Sequence, residues 1–310
     1  MNYTLSLGVF MAIAVIVAMS LNVSMGYAGL VSIAHGGLMG VGGYTASVLA
    51  TRYDVPMTVA LVAGGVAAAA VGAAFMLAVA WTGAFEFILA SFAFQMVLIE
   101  GISRWTSVTN GTRGLSAIPR PSLGFGALDS LGAYAAFVGV VTLAAAVAYL
   151  AVGRSTFAIR LRALRASVPA VQAAGWNPTA LKVAAFAVSA AGAGLAGGLH
   201  ASMISFAHPA DFGLRVSIIA VAYLLVGGVG NMWGAIVGAL TLMALPEIVE
   251  ATNVVPDHLL GPVERIIYGA LIMAMVWLRP NGLLPERPIV PRLAAAAGNR
   301  RPTVQAVPAG

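Results

Sequence analysis

Long runs without a charged side chain alternate with short polar and basic clusters along this 310-residue chain. The charge-free runs are 1–51, 55–85, 130–153, 183–210 and 216–246. A helix needs about 20 mostly apolar residues to cross a bilayer. None of the runs shows the strict alternation over ~10 residues that a transmembrane β-strand requires, so a barrel is excluded. The pattern predicts an all-α, polytopic helical membrane protein with about nine transmembrane helices, eight to ten in range, at 4–23, 29–50, 57–80, 85–103, 131–153, 181–204, 213–229, 231–249 and 263–279. Splitting 213–249 at "GGVGN" is the open point, since the 31-residue run 216–246 holds either two crossings or one crossing and a re-entrant piece. Two crossings fit the length better.

Composition agrees with the pattern: 60% of residues are hydrophobic and 8% charged, where a soluble domain carries about 25% charged residues. The apolar stretch Leu5 to Ala18 lacks a basic start and reads as a retained first helix, not a cleaved signal. There is no cysteine, and His35, His200, His208 and His258 lack ligand spacing, so neither a metal nor another cofactor is expected. The net charge of +6 describes topology. Arg154, Arg160, Arg162 and Arg165, and again Arg279, Arg287, Arg292, Arg300 and Arg301, mark cytoplasmic segments by the positive-inside rule. Four helices lie between the two clusters, an even number, so they share a face. Glu247, Glu250 and Asp257 then fall outside with the amino terminus. Arg104, Arg113 and Arg120, external against Asp129, run against the rule. Nucleic-acid binding would want basic residues interleaved with aromatics on a soluble face, and none is expected. The organisation is a transmembrane domain over 1–287, a cytoplasmic segment 154–182 inside it, and a disordered tail over 288–310.

Glycine is the unusual feature. Gly26, Gly29, Gly36, Gly37, Gly40, Gly42 and Gly43 fall within 18 positions, each costing a helix up to ~1 kcal/mol against alanine. That density predicts a broken second helix beside a cavity, where irregular backbone is tolerated in a membrane. Gly36 and Gly40, Gly194 and Gly198, and Gly230, Gly234 and Gly238 have the four-residue spacing that lets helix backbones meet. Ser32 and His35 have two readings: they satisfy carbonyls freed by the break, or, with Gly36 and Gly40, they line a translocation path.

Four stretches together resemble the bacterial branched-chain amino acid ABC transporter permeases. They are "LNVSMGYAGLVSIAHGGLMGVGGYTASVL" at 21–49, "TNGTRGLSAIPRP" at 109–121, "AAGWNPTALKVAAFAVSAAGAGLAGGLHA" at 173–201, and "LVGGVGNMWGAIVGAL" followed by "YGALIMAMVWLRPNGLL" at the end. The GLSAIP loop and the RPNGLL ending are similar to the LivM-type member. The resemblance implies an importer in which this chain pairs with a second homologous permease subunit, two ATP-binding subunits and an external solute-binding protein, in membrane lipid. The chain itself has no G-x-x-x-x-G-K-[ST] loop to cradle nucleotide phosphates and is not expected to be an enzyme. Coupling to a separate ATPase is expected at Arg165, Pro169, Ala170, Gln172, Ala173, Ala174 and Gly175, a short helix stopped by glycine before Asn177-Pro178. Where the family carries acids near this helix, the chain has Ser167, Val168 and Gln172. The scarcity of charges in the spans argues against a cargo of high net charge and fits a small neutral or zwitterionic solute; the resemblance implies a branched-chain amino acid, or the urea or short amides that relatives of the family carry. An ion-coupled secondary transporter is the alternative, and it would want a midplane carboxylate that the sequence does not offer.

Overall fold

A computed structural model of the chain describes residues 2–121 and 130–251, and beyond them 266, 267, 269, 270, 273, 274, 277–279 and 282–286. The first helix, α1 (Asn2–Leu21), runs on as a π-helical turn over Asn22–Tyr27. Next come α2 (His35–Arg52), α3 (Met57–Val79), α4 (Ala84–Arg104) and the single turn α5 (Thr106–Thr109). A 3-10 turn (Gly111–Arg113) and β1 (Leu115–Ser116) precede α6 (Leu131–Arg154), α7 (Thr156–Ala166) and α8 (Val168–Ala173). The chain then forms α9 (Pro178–Ile204), β2 (Phe206–Ala207), a 3-10 turn (Pro209–Phe212), α10 (Leu214–Gly227) and α11 (Met232–Ala251). Leu115 pairs with Ala207 and Ser116 with Phe206, an antiparallel clip that ties the loop after α5 to the end of α9.

Among the described residues, six stretches are long and apolar enough to cross a membrane: Tyr3–Tyr27, Met57–Val79, Ala84–Arg104, Leu131–Arg154, Pro178–Ile204 and Pro209–Gly227, with Met232–Glu247 a shorter apolar helix. The protein is an all-helical polytopic membrane protein. Its α2 is absent from that set because glycine, histidine and hydroxyl side chains lower its hydropathy, which it tolerates because α3, α4, α9 and α10 surround it. The expected helices at 57–80, 85–103 and 131–153 appear within a residue of those bounds. The run 213–249 is two helices, parted at 228–231. Most of the expected helix 263–279, and the tail 288–310, lie outside the described residues.

The clustered glycines divide between two kinds of backbone: Gly26 and Gly29 lie in the irregular stretch from Asn22 to Ala34, whereas Gly36, Gly37, Gly40, Gly42 and Gly43 all lie in one continuous α-helix that starts later than the expected 29–50. The penalty for glycine in α2 is offset by contact: a Cβ on Gly42 would run into the Gly194 backbone of α9, and one on Gly194 would lie 2.7 Å from the Gly64 carbonyl of α3. Three helices therefore meet backbone to backbone, the close approach that substitutes for hydrophobic association in lipid. Gly198 extends this seam toward Leu61.

The ends of the bundle are marked by side chains. Tyr3 donates to the Glu247 carboxylate at 2.6 Å, joining the start of α1 to the late turns of α11. At the other end of α1, Arg162 lies over the Tyr27 ring, 4.4 Å from its centroid. Glu247 and Arg162 thus lie at opposite ends of α1.

Candidate functional site

At the basic end, α7 and α8 form an arm with capping chemistry at each joint. Ser155 accepts from the Ala158 N–H at 3.4 Å, Ser167 from Ala170 at 3.3 Å, and Asn177 from Ala180 at 3.2 Å, each satisfying a helix's unpaired first-turn donor. Pro169 sits in the first turn of α8. Gly175 stops it with φ +78°, a conformation that costs glycine little. Val171 is buried and anchors the turn, while Pro169, Ala170, Gln172, Ala173, Ala174 and Gly175 are exposed together on its outer face.

Arg165 does not belong to that face. Its guanidinium donates to the Gly26 carbonyl and to Glu286, and Arg162 Nε lies 2.9 Å from the other oxygen of Glu286. Of the residues expected to couple, Arg165 thus differs from those on α8: the arginine ties the arm to the end of α1 and to the segment 282–286. That segment is held in turn by α10, since Leu283 N–H donates to the Val226 carbonyl and Leu284 N–H to Gly227, both at 2.9 Å. Asn22 completes the joint by accepting the Gly230 N–H at 2.9 Å. Gly230 lies in the turn before α11 with φ +86°, so it is a turn position and not the first member of a helix seam. Gly234 and Gly238 do form the seam, packing α11 on α10; a Cβ on Gly234 would lie 2.7 Å from the Gly227 carbonyl. Sequence reasoning missed Glu286 and Asn22. Their only signal was one acid in a basic end and one amide in an otherwise apolar helix.

Ser32, His35, Gly36 and Gly40 occupy a buried polar knot where α1, α2, α4, α9 and α10 meet. Ser189 Oγ donates to the Ser20 carbonyl at 2.6 Å, which uses its one proton. Its contact with His35 Nε2 at 2.8 Å then has the imidazole as donor, leaving Nδ1 the unprotonated nitrogen, buried and without a partner. Ser32 Oγ accepts from the Ala34 N–H at 3.2 Å. The free donors at the start of α2 are capped from other helices: Ile33 N–H by Ser91, Gly36 N–H by Ser217 at 2.8 Å, and Gly37 N–H by Gln95. Gly40 packs on Phe212 and Ile102. The helix N-terminus that could have received a ligand is filled by the protein's own side chains.

An exposed, well-capped arm at one end of a bundle of membrane helices suits a permease driven by a separate motor. The profile of the family described as "Branched-chain amino acid transport system / permease component" matches residues 3–276. The high-affinity branched-chain amino acid transport system permease protein LivM of Salmonella typhimurium strain LT2 is 30% identical over 297 residues, 88% of this chain and 68% of that protein. Its Escherichia coli K12 counterpart is 30% identical over 306 residues, 91% and 70%. A probable LivM of Methanocaldococcus jannaschii is 28% identical over 165 residues, 50% and 48%. No solved structure matches the chain. With a family match that takes in α1 to α11 and two relatives similar along most of their own length, the chain belongs to the branched-chain amino acid transport system permease family.

Proposed function

We propose that this chain imports a branched-chain amino acid, or a similar small neutral or zwitterionic solute, as one of two homologous permease subunits docked on two cytoplasmic ATP-binding subunits and fed by an external solute-binding protein. In this arrangement it makes about nine crossings, with the amino terminus outside and the arm of α7 and α8 in the cytoplasm. The observation that carries the proposal is the exposed face Pro169 to Gly175. It is small-residued and rigidly capped, and the arm that bears it is tied through Arg165 and Glu286 to the end of α1 and the α10–α11 turn. Displacement of α8 by a closing ATPase would be passed by those contacts to the helices. A coupling free energy needs such a contact, whose geometry differs between the two states. The names of the similar proteins favour the solute class.

The test is reconstitution in liposomes. Leucine uptake should require ATP, the ATP-binding subunits and the solute-binding protein together. Uptake by this chain without them, under a proton or sodium gradient, would overturn the proposal in favour of a secondary transporter.

A further inference from the structure

Charges are scarce in the membrane helices, yet three ionisable side chains converge in the half of the bundle that holds Tyr3 and Glu247. His200 lies one turn before the end of α9, Asp211 in the 3-10 turn after β2, and Arg215 in the first turn of α10. They line one groove of about 190 Å³, whose remaining wall includes Phe10 of α1, Ile219 of α10 and Met243 of α11. One oxygen of Asp211 accepts the His208 N–H at 3.2 Å, and among the described residues neither Asp211 nor Arg215 forms an ion pair. His200 is held between the rings of Phe10 and Phe212, with centroids 5.8 Å away on each side.

An unpaired arginine and an unpaired carboxylate do not face hydrocarbon cheaply; such groups point into water-filled or protein-lined space. Arg215 is exposed on this subunit, so the groove opens at its surface, where a second subunit can close it. The two charges lie beside an apolar wall without neutralising each other. The complement of that surface is a small molecule carrying an ammonium, a carboxylate and an aliphatic group. The cavity is smaller than the ~300–1,000 Å³ of drug-sized ligand sites, which suits a solute of amino-acid size.

We infer that this groove, and not the filled knot around Ser32 and His35, is the chain's half of the translocation path and receives a zwitterionic α-amino acid. Asp211 takes the ammonium. Arg215 takes the carboxylate in a two-pronged contact. The wall formed by Phe10, Ile219 and Met243 takes the aliphatic side chain, and His200 positions the wall. The inference rests on the import reading above and adds to it a site and a ligand chemistry.

The experiment uses the complete transporter in liposomes, with labelled leucine as the probe. Asp211→Asn keeps an acceptor for His208 N–H and removes the charge; Arg215→Gln removes the cation, and Arg215→Lys restores it. At equal membrane levels, Asp211→Asn and Arg215→Gln should each lower leucine uptake about tenfold or more, the scale of one lost charge-assisted contact, with Arg215→Lys recovering part of it. A second measurement does not depend on transport. The chain has no native cysteine, so Ile219→Cys should react with a membrane-impermeant thiol reagent while Val140→Cys, exposed on α6, stays inert. Leucine uptake by wild type together with wild-type rates in both charge variants would overturn the groove alone, as would an Ile219→Cys as inert as Val140→Cys. Failure of the wild-type transporter to take up leucine while Ile219→Cys labels would instead overturn the solute reading.

Discussion

At the residue scale, Ser189 holds the centre of the bundle. Its oxygen meets the Ser20 carbonyl, His35 Nε2 and Ser24 Oγ, at 2.6, 2.8 and 3.0 Å. Removing it in Ser189→Ala leaves the His35 N–H buried without an acceptor, a loss of about 1–3 kcal/mol. The variant should unfold several degrees lower in detergent than wild type; an unchanged midpoint would mean that water replaces the hydroxyl. The serine was not legible in the sequence, because a hydroxyl in an Ala/Gly helix looks the same whether it bonds its own backbone or a helix 154 positions away. His35 was legible as a polar group in apolar surroundings, but its partner was not. Arg165 shows the same limit: its charge placed it at the basic end, and only Glu286 and Gly26 fixed which way it points.

Among the elements, long apolar stretches bounded by charges or prolines were readable because each carries its own signal. Met57–Val79, Ala84–Arg104 and Leu131–Arg154 needed nothing from elsewhere. The start of α2 could not be read, because its donors are capped by Ser91, Gln95 and Ser217 from α4 and α10. The four-residue glycine spacing located the α10–α11 seam at Gly234 and Gly238 but misassigned Gly230, since spacing carries no information about φ. Gly234→Leu should force α10 and α11 apart. Overpacking typically costs ~1–3 kcal/mol, and the mutant protein should be degraded or fail to assemble with its partners. A stable and fully active Gly234→Leu protein would show that the seam yields without loss.

Across the whole molecule, Tyr3 with Glu247 at one end and the arginines with Glu286 at the other fix which segments share a face. Single cysteines can then report the faces without background. Thr179→Cys should label only from the cytoplasm and Tyr53→Cys only from outside, both being exposed in the subunit; labelling of both from one side would sink the nine-crossing arrangement. The central claim is that ATP hydrolysis reaches the helices through α8. Its most direct test is solute-stimulated ATP hydrolysis and leucine uptake by the complete transporter carrying Ala173→Leu with Ala174→Leu, or Gly175→Pro. Both alanines are exposed, a Cβ on Gly175 would meet nothing, and proline cannot adopt its φ of +78°, so docking should change while the membrane core stays intact. The account predicts normal insertion with uptake and stimulated hydrolysis lost together. Wild-type uptake in variants inserted at normal levels would contradict it.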